Sequence, residues 1–126
     1  MKFRHFFEEI RKEKITEDEV NNWAQKFSVI MKSLLVDPNL LIHDSLDFIK
    51  KHASLIPMHI VSGSDQTELR YLCKELKIDH FFKSIHGSPT PKKQLVNDVL
   101  AANSYDKQEC VLIGDSYNDY EATEFN

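Results

Sequence analysis

The chain has 126 residues, 41% of them apolar, enough for one domain that buries roughly two thirds of its unfolded surface. Its 16 basic and 20 acidic residues give a net charge of -4, with Lys and Arg interleaved among Glu and Asp throughout, which excludes the electrostatic footprint of a nucleic-acid binder. Two cysteines without a C-x-x-C pattern, Cys73 and Cys110, exclude a disulfide scaffold and suit a reduced cytoplasmic protein; no signal-type segment or run of about 18 apolar residues directs it to export or a membrane.

Phe3, Phe6, Phe7 and Ile10 fall at i, i+3, i+4 and i+7, the spacing of one helical face, so a short first helix is expected. Thr16 and Glu19 form a T-x-x-E capping box. Behind it Val20, Trp23, Ala24, Phe27, Ile30, Met31, Leu34 and Leu35 keep the helical period until Asp37-Pro38 ends it. Trp23 and the early phenylalanines read as core at that spacing. A third helix is expected from Asp44 or Ser45, burying Leu46, Ile49 and Ala53 and ending before Pro57.

After Pro57 the pattern changes. Met58-His59-Ile60-Val61 reads as a brief buried strand opening into a Ser62-Gly63-Ser64 loop, with His59 at the core or strand edge. Asp65 to Lys77 returns to a helix with a D-x-x-E box at Asp65 and Glu68 and a stripe of Leu69, Leu72, Cys73 and Leu76. A weaker strand follows at Phe82 to His86, then a helix marked by Leu95, Val96, Val99 and Leu100, then a strand at Cys110 to Ile113 running into Gly114-Asp115. Alternating strands and helices point to crossover connections and a mainly parallel sheet, in which ligands sit at the carboxyl ends of the strands.

Three polar groups fall at such ends. Gly114-Asp115-Ser116-Tyr117-Asn118-Asp119 places two carboxylates four residues apart, a donor set suited to Mg2+, which takes one or two carboxylates and completes its shell with water and phosphate. The same residues also suit a plain helix start, with Asp115 as N-cap and Asp119 solvated. Ser62-Gly63-Ser64 offers a hydroxyl and backbone N–H groups to an anion, or ordinary capping by Ser64 after a turn at Gly63. Pro91-Lys92-Lys93 leads a helix, where a lysine reaches a strand-end crevice or simply faces solvent. The six histidines show no zinc spacing, and no Walker loop, G-x-S-x-G or G-x-G-x-x-G occurs.

In order and spacing, a strand ending in Ser, a Lys leading a helix 22 positions before Gly114, and a strand ending G-D-x-x-x-D resemble motifs two, three and four of the haloacid dehalogenase superfamily. The resemblance implies an α/β fold: residues 1–44 as a helical cap segment, and residues 45–126 as a partial core with a Rossmann-like parallel sheet. It implies Mg2+-dependent hydrolysis of a small phosphorylated metabolite through an aspartyl-phosphate. Ser62, Gly63 and Ser64 would bind the phosphoryl group, and Lys92 would stabilise its charge, with Lys93 as fallback. Asp115 would be catalytic as a Mg2+ ligand, Asp119 would complete or orient the metal shell, and Ser116 and Asn118 would lie behind it.

The family's first motif, a strand followed by D-x-D-x-[TV], is not found, and with it the nucleophile. The chain is therefore expected to be an internal fragment, inactive by itself, whose strands beside the missing central one pair with each other, associate with another chain through exposed edges, or stay ill-formed. A phosphomutase, a dehalogenase, a non-catalytic phosphate- or protein-binding remnant, and an unrelated α/β binding domain are the alternatives.

Overall fold

A computed structural model describes residues 2–126, and Met1 of the expected cap segment lies outside them. The chain divides into two compact units, Met1–Pro38 and Asn39–Asn126. No helix among the described residues is long and apolar enough to cross a membrane.

In the first unit, α1 (Lys2–His5) runs into a π-helical turn, Phe6–Ile10, and α2 spans Glu17–Leu35. The capping box forms as its residues require: Glu19 N–H donates to Thr16 Oγ1 (3.3 Å) and Thr16 N–H donates to Glu19 Oε2 (2.8 Å), which holds the Glu19 carboxyl below its usual range. Ile15 and Val20, the two positions of a hydrophobic staple around that cap, are both buried. Arg4 joins the two helices by donating to the Ile15 carbonyl (3.3 Å) and to Glu17 (2.5 Å).

The rest of the α2 stripe is not core. Trp23, Phe27, Ile30 and Leu34 are 43–59% exposed, and Phe6 and Ile10 are exposed as well. The cause is length: α1 and its π turn are short, and their aromatics meet only the first half of the stripe, Phe7 against Trp23 and Phe3 against Phe27 at 5.7 Å between ring centroids.

The second unit begins with α3 (His43–His52), followed by β1 (His59–Asp65), α4 (Gln66–Glu75), β2 (Ser84–Ser88), α5 (Lys92–Asn103) and α6 (Tyr117–Phe125). β1 and β2 pair in parallel, joined by the α4 crossover, so the α/β class and the parallel sheet read from the sequence are present. α4 and α5 pack on both strands and α6 packs on α5. Cys73 of α4, Leu95 and Val99 of α5 and Ala122 of α6 are the buried apolar residues of this unit. Burial pushes the Cys73 thiol above its usual pKa.

Two expectations need correction. β1 does not open into a loop at Ser62 but continues to Asp65; register partners pass from Val61↔His86 to Asp65↔Ser88, four steps on β1 against two on β2. Ser62, Gly63 and Ser64 are therefore a bulge inside the strand, and the second pairing beyond it is what prolongs β1. Cys110–Ile113, read as a third strand, joins no ladder among the described residues: Cys110 has extended backbone, and Val111 and Ile113 are 85% and 82% exposed. An apolar β-branched run encodes readiness to pair, and the sheet supplies no strand beside it.

Both inner helices end in Schellman motifs with a left-handed residue that is not glycine. At α4, Lys77 (φ 55°) donates to the Lys74 carbonyl and Ile78 to Cys73; at α5, Ser104 (φ 54°) donates to Ala101 and Tyr105 to Leu100. A Cβ is strained in that region. Lys77→Gly and Ser104→Gly are each expected to stabilise the fold by about 0.5–1 kcal/mol, read as a higher urea midpoint at unchanged slope.

Candidate active site

Parallel pairing puts the carboxyl ends of β1 and β2 at one edge of the sheet. The Ser62–Ser64 bulge lies at that end of β1, and α5 starts with Lys92 four residues after Ser88 ends β2. Within the bulge, Ser62 Oγ accepts from Ser64 N–H (3.1 Å), and Gly63 and Ser64 are exposed. A Cβ at Gly63 would meet nothing within 4 Å, so the space over the bulge is open.

Lys92 donates to Asp119 Oδ1 at 2.5 Å, with side-chain exposures of 16% and 11%. The other oxygen of Asp119, Oδ2, accepts from the Ser116 hydroxyl (2.5 Å) and backbone N–H (3.0 Å). The Lys92 ammonium first, and the two Ser116 donors next, hold the Asp119 carboxyl down at about 2. The helix start that these residues also suit is present as α6, with Ser116 and not Asp115 as its N-cap, the S-x-x-D pair of Ser116 and Asp119 forming the box. Gly114 is required by the same packing, because a Cβ there would overlap the Asp119 carboxylate.

Asp115 stands exposed in the bend between Gly114 and that cap. Lys93, the fallback lysine, turns away: its ammonium lies 5.2 Å from the Phe125 ring centroid. Among the described residues no hydrogen bond links Ser62, Gly63 or Ser64 to Lys92, Asp115 or Asp119, so the fold brings the bulge to the same edge as the ion pair without joining them. Gln66 was not singled out from sequence, since a glutamine in a first helical turn carries no signal of its own. It accepts from Gly87 N–H (3.3 Å) and so ties the end of β2 to the helix leaving β1, an approach close enough that a Cβ at Gly87 would overlap Ser64 and Gln66 backbone.

The donor chemistry fits Mg2+ through Asp115, whose exposed carboxylate is a hard oxygen ligand, while both Asp119 oxygens are already engaged. No group of three or more His, Cys, Asp or Glu gathers among the described residues, so water and phosphate oxygens would complete such a shell.

Asp119 is ordinarily a group of pKa 3.8, and its depressed value means that its contribution to stability is present above about pH 4 and is lost as the pH falls through 2. Asp119→Asn is expected to lower stability at neutral pH by about 2 kcal/mol and to flatten the pH dependence between pH 4 and 2, as measured by denaturant unfolding across that range. Gly114→Ala is expected to lower the melting temperature by several degrees, and Gly63→Ala to leave it within about 1 °C, by thermal denaturation of the two variants side by side.

A family described as haloacid dehalogenase-like hydrolase matches residues 1–124. No curated protein and no solved structure matches the chain. With its parallel β1–α4–β2 unit, its lysine-led helix and its Gly114-Asp115 turn in the family's order, the chain belongs to the haloacid dehalogenase-like hydrolases.

Proposed function

We propose that this chain carries the phosphate- and Mg2+-handling part of a phosphate-monoester hydrolase acting on a small phosphorylated metabolite. The observation that supports the reading is the Lys92–Asp119 pair at the carboxyl edge of the sheet, one bend away from the exposed carboxylate of Asp115. Held at one oxygen of Asp119, the Lys92 ammonium keeps donors for a second anion, since a lysine has three and no acceptor. The Ser62 hydroxyl, which accepts from Ser64 N–H and keeps its own proton to donate, would orient a phosphoryl oxygen from the same edge. Asp115 would hold Mg2+, which when bound supplies charge neutralisation at the phosphoryl group. Asp119 acts through Lys92, fixing where its ammonium sits.

The attacking carboxylate belongs to the D-x-D motif, which these 126 residues do not contain, and the chain alone is therefore proposed to be inactive. The exposed Val111 and Ile113, in a segment without strand partners, support the companion proposal that a further strand docks there, from upstream sequence or from a second copy. The free thiols of Cys73 and Cys110 are in keeping with a cytoplasmic setting.

Assayed alone with Mg2+ and p-nitrophenyl phosphate, the chain is expected to show no turnover above background. A version extended upstream through an apolar strand ending D-x-D is expected to hydrolyse the ester only with Mg2+, and Asp115→Ala in that version to abolish hydrolysis while the circular dichroism spectrum is kept. Robust turnover by the 126-residue chain, or an active Asp115→Ala variant, would overturn the assignment.

A further inference from the structure

A groove of about 350 Å3 lies where α4 passes the start of β2, lined by Arg70 and Lys74 of α4, by Asp79 and Phe82, and by Ser84 and Ile85 of β2. It sits at the amino end of β2, whereas Ser88 and Lys92 mark and follow the carboxyl end of that strand, so it is separate from the candidate active site.

Arg70 is anchored there and yet largely unspent. Its Nε–H donates to the Ile85 carbonyl at 2.9 Å, which ties the planar guanidinium to β2. A guanidinium carries five N–H donors, and the four on the terminal nitrogens of Arg70 meet no acceptor among the described residues. Lys74 stands one turn later at the i+4 position of the same helix, and its ammonium has no ion pair among the described residues either. Like charges at that spacing repel, and an anion held at Arg70 would offset the repulsion.

The rest of the lining says which anion. Asp79 borders the groove without pairing to either cation, so the wall carries two positive charges and one negative, a balance that suits a single negative charge and works against a dianion. Phe82 and Ile85 are half-buried and give the same groove an apolar wall.

We propose that this groove is a second ligand site, which takes a small organic monocarboxylate. Its two oxygens accept from the terminal N–H groups of Arg70 in a fork, Lys74 adds attraction, and the hydrocarbon body lies against Phe82 and Ile85. Two parallel N–H···O bonds of this kind suit a carboxylate and not a neutral amide. Because Ile85 already orders Arg70, binding forfeits less side-chain freedom than it would at an untethered arginine. A ligand there bridges α4 to β2, the two elements that Gln66 and Gly87 tie at their other ends.

The intact 126-residue chain is titrated with benzoate, with its neutral isostere benzamide and with inorganic phosphate, and read by NMR at the Arg70 Nε–H and the backbone amides of Phe82 and Ile85. Benzoate is expected to shift all of these saturably, benzamide to bind about tenfold more weakly, and phosphate to bind this groove more weakly than benzoate. Arg70→Lys, which keeps the charge and loses the fork, is expected to weaken benzoate about tenfold, and Lys74→Met about threefold. No saturable benzoate shift, equal affinity for benzoate and benzamide, tighter binding of phosphate, or wild-type affinity in Arg70→Lys would overturn the assignment. The comparison of the probes on the unaltered chain decides it even if a variant does not fold.

Discussion

The contact between Lys92 and Asp119 organises the second unit more than any other. It joins residues 27 apart in sequence, clamps the start of α5 to the start of α6, and sets the Gly114-Asp115 turn at the sheet edge. Such a pair, largely withdrawn from water, gains little net stability over an apolar contact, because desolvating two charges offsets most of their attraction. What it contributes is position. Ser116 fills the remaining oxygen of Asp119 and Gly114 vacates the space that oxygen needs, so a lysine at the start of α5 and a glycine and a serine just ahead of α6 all serve one carboxylate.

The parts of this arrangement that are local in sequence were legible in it. The Thr16–Glu19 box, the Asp65 cap accepting from Glu68 N–H, and the helix led by Lys92 depend on neighbours within a turn, and each stands where its residues place it. So does the motif order, because strand, lysine-led helix and G-D turn are strung along the chain. Non-local features were harder. Whether Cys110–Ile113 pairs depends on a strand supplied from elsewhere, and whether the α2 stripe is buried depends on how much surface α1 can cover; periodicity reports neither. The choice of Ser116 over Asp115 as helix cap, and of Lys92 over Lys93 as the pairing lysine, turned on which side chain reaches Asp119, a matter of tertiary geometry.

The bulge at Ser62–Ser64 shows how a sheet can present a polar loop without ending a strand. Pairing resumes at Asp65, which then caps α4, so the three residues are held from both sides, with Gly63 and Ser64 exposed. Gln66 and Gly87 tighten the same corner from β2. Rigidity of this kind is what a site that orients an anion by backbone donors requires, because donors that must first be ordered lose much of their effect.

The crossover has a kinetic consequence. The register partners His59 and Ser84 are 25 residues apart, and the Lys92–Asp119 clamp spans only two more, so the pairing of the strands and the clamp close loops of similar length. Closure entropy grows only with the logarithm of loop length, and topologies rich in near-sequence contacts fold fastest. In chain order β1, α4, β2, α5 and α6 follow one another, so the carboxylate that completes the clamp is synthesised after the lysine it holds.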